Sequence, residues 1–224
     1  NDPCLLTAGW FIISYQYTSS RDMLLWFDDL NISGIFSDEP PEELPEAHPG
    51  DIVFTEIMAR PQPAVSLPGK EYLEILNTSQ SDFQMNGWQL ATVSQSYPFP
   101  DIKLTSQQYI ILCQASATGL FSGHGRTVGF SSFPILTDGG RELGIFDSRG
   151  MLIDGIEYTS KWYRDEFKSD GGWSLEIIDP GVPFSADWNW KASVSGTGGT
   201  PGVQNSVFAT NPDLVFRGVE NVFP

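Results

Sequence analysis

Five glutamates sit in or beside otherwise apolar, strand-length runs: Glu56 in IVFTEIM, Glu71 and Glu74 in EYLEIL, Glu157 in MLIDGIEY and Glu176 in WSLEII. Two carboxylates held roughly 5 to 10 Å apart are the acid/base apparatus of glycoside hydrolysis, so these residues are the first candidates for chemistry. A carboxylate inside a strand faces water, pairs with a cation or accepts from backbone amides, because burying it unpaired is prohibitive. A β-sandwich also presents polar residues at alternate strand positions, where a glutamate needs no catalytic duty.

Nucleophilic chemistry finds less support. A hydrolytic triad needs a nucleophile beside a positioned base. The chain has two histidines, His48 and His124, and no G-x-S-x-G elbow. Ser122 and His124 lie close together in FSGHG, but the glycines mark a loop rather than a strand-to-helix turn. Zinc lacks clustered ligands. Oxygen-rich loops at Asp28-Asp29, at Asp138 with Gly139-Gly140, and at Asp179 with Asp187 and Asn189 lack the spacing of an EF-hand. No cofactor is expected, a structural calcium being the weak exception. Late in the chain, Trp162, Tyr163, Trp188 and Trp190 gather in or beside loops. Aromatics rimmed by Asp and Asn are candidate contacts for sugar rings, while Trp88 and Trp173 suit a sandwich core.

The elements that must position these residues are strands. Val, Ile, Phe, Tyr, Trp and Thr crowd short runs, helical periodicity is absent, and 22 Gly and 16 Pro punctuate the 224 residues. The class is all-β. Expected strands are 52–58, 72–76, 86–93, 108–113, 143–147, 151–158 and 173–178, with Ser148-Arg149-Gly150 as a hairpin turn. Such spacing reads as an antiparallel sandwich with Greek-key character.

The formal charge of −16 repels phosphate, so nucleic acid and anionic membranes are poor partners. No apolar run approaches the roughly 20 residues that span a bilayer, so membrane insertion is not expected. Cys4 and Cys113 lie far apart, and whether they are free or bridged is left open.

Four segments emerge. Residues 1–34 hold a β-hairpin, Trp10 to Tyr17 and Met23 to Ile32, which needs a partner surface to be stable. Its YTSSRDMLLWFDDLNISG pattern resembles the closing strands of lectin-like jelly-roll sandwiches. Residues 35–50, with their prolines and acids, read as an extended linker. Residues 51–207 form the main domain, and 208–224 an extension or the start of a further module.

Within the main domain the blocks FTEIMARP, EYLEILN, NGWQL, YIILC, FSSFPILTDGGRELGIFDSRGMLIDGIEY, DGGWSLEIIDP, DWNWKAS and GGTPGVQNSV follow one another. In that order they resemble lamin-tail domains of secreted bacterial proteins. The resemblance implies an immunoglobulin-like β-sandwich and an accessory, non-catalytic module, in a family often fused to nucleases, hydrolases or surface proteins. It also implies structural duty for Glu56 and Glu74, as polar anchors that accept loop amides or pair with Arg60. The expectation is therefore a non-enzymatic interaction or scaffolding module of a larger extracellular or cell-surface protein. Its partner would be another protein or a glycan, and its oligomeric state is open.

Overall fold

A computed structural model of the chain describes residues 45–210 apart from Ser185. The expected N-terminal hairpin, Cys4, Asp28-Asp29 and most of the C-terminal extension lie outside the described residues. Pro45 opens the compact unit to which the described residues belong. Residues 45–50, expected as the end of the linker, therefore belong to the domain. Ala47 is buried in the core, and Gly50 N donates to Ile153 O at 2.8 Å.

In chain order the strands begin with β1 (Ile52–Met58), β2 (Tyr72–Asn77), β3 (Phe83–Gln84), β4 (Gln89–Ala91), β5 (Ser96–Pro98) and β6 (Lys103–Leu104). They continue with β7 (Tyr109–Gln114), β8 (Thr127–Phe130), β9 (Gly140–Phe146), β10 (Leu152–Thr159), β11 (Leu175–Ile177) and β12 (Trp190–Ala192). A six-stranded sheet, β12-β11-β1-β2-β7-β8, and a four-stranded sheet, β10-β9-β4-β5, enclose the main core, and β3 pairs with β6. The domain is thus the expected β-sandwich. One pair departs from the antiparallel pattern: β7 and β8 run parallel. The intervening residues 115–126, which include a 3-10 turn over Ala115–Phe121, give the length that a parallel crossover requires.

Long runs of β1 and β2 are buried on both sides, which explains why both segments read as nearly continuous apolar stretches. Ile52, Phe54 and Ile57 of β1, with Leu73 and Ile75 of β2, join the main core between the sheets. On the outer face, Met58, Leu67, Tyr72, Ile111, Cys113, Ala117 and Phe121 form a second, smaller core. The Tyr72 and Phe121 rings meet edge to face there, with centroids 5.2 Å apart.

Strict alternation along β1 would send Phe54, Glu56 and Met58 to one side. A bulge between Phe54 and Glu56 breaks that alternation. Phe54 opposite Ile75 still points into the core, whereas Glu56 opposite Glu74 points to the outer face. Re-aiming a side chain is what a bulge does.

The segment 198–207 closes the outer face and comes very near the loop before β8. Gly202 adopts φ +89°, and a Cβ there would press into the His124 carbonyl oxygen and lie 3.0 Å from Gly125 Cα. Gly202→Ala is expected to cost at least about 2 kcal/mol, through left-handed strain added to the clash. Gly119→Ala, with open space around its would-be Cβ, is expected to stay within about 0.5 kcal/mol of wild type. Urea titrations of the two variants check both values.

Candidate functional site

Register across three adjacent strands sets the candidate carboxylates in one row. Glu176 of β11 faces Glu56 of β1, which in turn faces Glu74 of β2. Neighbouring strands lie about 4.8 Å apart, so three acids share a few ångströms of sheet surface. All three are fully buried. Glu71 is half-buried and accepts from Leu136 N at 2.9 Å, while Glu157 is exposed on β10, so neither belongs to the row.

The segment 198–207 supplies the donors. Glu56 Oε1 accepts from Thr200 N at 2.9 Å and from the Tyr72 hydroxyl at 2.6 Å. Glu74 accepts from Gly202 N through Oε2 and from the Thr55 hydroxyl at 2.8 Å through Oε1. Glu176 Oε1 takes the Thr200 hydroxyl at 2.9 Å. Its Oε2 takes the Ser206 hydroxyl at 2.7 Å and Val207 N at 3.1 Å. Asn205 completes the seam by donating through Nδ2 to Thr55 O at 2.8 Å and to Ile177 O at 2.9 Å, so the bulged residue's carbonyl is satisfied. Gly199 must be small, since a Cβ there would lie 2.7 Å from the Tyr72 hydroxyl oxygen. The carboxylates act as acceptors that fasten a loop to a sheet, in place of the hydrogen bonds that a further strand would make.

Three like charges cannot share this volume. Burial, reinforced by the Glu176 charge, pushes Glu56 up to about 7. The nearby hydroxyls of Ser174 and Tyr72 and the Thr200 amide only partly oppose that rise. Burial, then the Glu56 charge, holds Glu74 well above the carboxylate range. Tyr72 is raised as well, by burial and then by the negative charge of Glu56. Glu56 Oε2 has no hydrogen-bond partner among the described residues, so that face of the carboxyl gets no donor to offset its burial. Asp154, buried in the bulged start of β10, accepts from Phe54 N at 2.8 Å and is raised by burial to about 6.

Other sequence candidates fall elsewhere. Arg60 pairs with Asp138 and Asp170, each at 3.5 Å, and not with Glu56 or Glu74. Ser122 donates to Gly119 O at 3.0 Å, while His124 stacks edge-on to Phe121 with centroids 6.2 Å apart. Three of the four late aromatics are buried in the fold rather than displayed on its surface. Trp162 and Trp190 pack in the core with ring centroids 6.1 Å apart, and Tyr163 is buried with its hydroxyl donating to Trp173 O at 2.9 Å. Only Trp188 of the four keeps a partly open ring, 37% exposed. The Asp179 and Asn189 oxygens are engaged with backbone amides of the same loop, and Asp187 pairs with Arg164 at 3.1 Å. Cys113 is buried, and burial pushes its thiol up to about 11.

The residues that sequence reasoning missed are those opposite the carboxylates: Thr200, Gly202, Asn205, Ser206 and Val207. The available signal was GGTPGVQNS, a run too polar and Gly-rich to pack by itself.

A carboxyl raised in the folded state binds a proton that the unfolded chain has already released. Its stabilisation is therefore complete below about pH 4.5 and is lost as pH rises through about 7. The Glu56 shift alone corresponds to roughly 3 kcal/mol, in the direction that Asp154 shares. The melting temperature is expected to be roughly 5 to 10 °C higher at pH 5 than at pH 7.5. Glu56→Gln, which keeps an acceptor and removes the charge, should flatten that dependence. Calorimetric scans of both proteins across this range make the comparison, and parallel curves would exclude Glu56 as the source.

No curated protein matches the chain. The family model described as Lamin Tail Domain matches residues 45–160, just over half of the sequence. That match begins where the compact unit begins and covers β1 through β10 of the sandwich. The chain belongs to the lamin tail domain family, and its fold is the immunoglobulin-like β-sandwich of that family.

Proposed function

We propose that this domain is a non-catalytic interaction and scaffolding module of a larger extracellular or cell-surface bacterial protein, with another protein as its partner. One observation carries the reading. The carboxylates best placed for acid/base chemistry are sealed beneath residues 198–207, and their oxygens are used to hold that segment down. A general acid must reach the proton it transfers within hydrogen-bonding distance of substrate, and no substrate reaches this row while the segment is in place.

Further support comes from the sequence. An acidic, Pro-rich stretch precedes the domain, and the blocks resemble lamin-tail domains of secreted bacterial proteins. No helix among the described residues is long and apolar enough to cross a membrane. A protein partner is favoured over a glycan because Trp162, Tyr163 and Trp190 are committed to the core.

Two measurements test this reading. The purified chain is expected to give no turnover above blank on panels of polysaccharide, phosphodiester and ester substrates. An activity abolished by Glu56→Gln or Glu74→Gln would overturn the non-catalytic assignment. Antibody labelling of intact cells should detect the domain without permeabilisation, and signal only after lysis would overturn the extracellular assignment.

A further inference from the structure

The outer face of the four-stranded sheet carries a groove. Register builds it from three parallel rows. Ala91, Gly144 and Gly155 lie side by side across β4, β9 and β10 and form a floor of small residues, over which the Phe146 ring and Leu152 lean from one side. Phe146 and Leu152 face each other across one side of this floor, and Glu142 and Glu157 across the other. The two walls are four residues apart along β9, about 13 Å at 3.3 Å per residue. Together with Val93 and Phe184 these residues line an open groove of about 410 Å³.

Three features distinguish this face from an ordinary solvated sheet. Val93 is 81% exposed and Phe184 47%, so the groove's lining includes unpacked apolar side chains. Phe184 is also held at φ +55°, a conformation that bulky residues adopt at a cost and that gathers at ligand clamps. The buried Asp154 accepts from Phe184 N at 3.4 Å and helps to fix it there. Lastly, Glu142 and Glu157 stand directly opposite one another, and neither is ion-paired among the described residues. Like charges in that position repel, and a bound cation would relieve them.

We infer that this groove is the docking surface for a protein partner, which inserts a basic-apolar segment there. An arginine or lysine bridges Glu142 and Glu157, and the adjoining apolar side chain lies on the Gly144–Gly155 floor against Phe146 and Leu152. Charge decides the occupant. A second copy seated face to face would bring four carboxylates together. The overall charge of −16 steers a basic partner inward. This inference rests on the reading of the domain as an interaction module and names the surface that the module uses.

The test uses the full chain and a short fluorescein-labelled peptide alternating arginine and leucine, followed by anisotropy at physiological ionic strength. Two variants probe the groove. Glu142→Gln with Glu157→Gln removes the charge and relieves repulsion, so its melting temperature should hold or rise. Gly155→Val fills the floor, where a Cβ would make only ordinary contacts at 3.7 Å. Each should weaken binding at least about tenfold, whereas Glu166→Gln with Asp170→Asn, on the exposed short helix and its cap, should leave it unchanged. Equal loss in that control, or no loss in the groove variants, would overturn the groove as the seat. Concentration-dependent dimerisation abolished by Gly155→Val would assign it instead to a second copy and overturn the heterologous partner. These outcomes are independent of the turnover and labelling experiments, so the docking surface and the broader reading can fail separately.

Discussion

A row of three buried carboxylates governs this domain. Glu176, Glu56 and Glu74 lie on adjacent strands, and each would be ruinous in an apolar interior without donors. Apart from the Tyr72 and Thr55 hydroxyls, their donors come from residues 200–207, more than twenty positions beyond β11 and more than a hundred beyond β2. The sheet and the segment therefore depend on each other. Without the segment the acids lose their acceptor role, and without the acids a Gly-rich loop has no reason to settle on the sheet.

The same dependence explains why the centre of the outer face of the larger sheet is buried. Sheets of most sandwiches keep one face in water. Here the 3-10 turn carrying Ala117 and Phe121 covers one half with apolar contacts, and the 198–207 segment covers the other with charge-assisted hydrogen bonds. The face left to the solvent belongs to the smaller sheet, where a glycine floor and an unrelieved pair of glutamates interrupt the usual packing. The larger sheet buries its three glutamates beneath a loop, whereas Glu142 and Glu157 of the smaller sheet are exposed.

Much of the fold was legible from sequence, because apolar runs of strand length dictate strands wherever they fall. β1, β2, β4, β7, β9, β10 and β11 lie within or beside the runs read for them. The strands that were missed, β3, β5, β6, β8 and β12, are two to four residues long, too short for any alternation to register. Tertiary pairing makes them, not propensity. The glutamates were visible as anomalies, but their arrangement was not. The bulge at Thr55 cancels the alternation that would have aimed Glu56 inward, and nothing in IVFTEIM announces it. Glu176 was visible as well, yet only register reveals it as the third member of the row. The aromatics misled for the opposite reason: DWNWK looks exposed in composition, while Trp190 serves as a buried plug against Trp162.

The claim that the carboxylates hold the closing segment is tested most directly by amide hydrogen exchange read residue by residue. The Thr200, Gly202 and Val207 amides sit in a Gly-rich loop but donate to buried acids. The account predicts that they exchange as slowly as the central amides of β1 and β2, opening only with global unfolding. Exchange at the rate of the exposed Thr92–Gln95 turn would show that the segment lifts freely, and would contradict it.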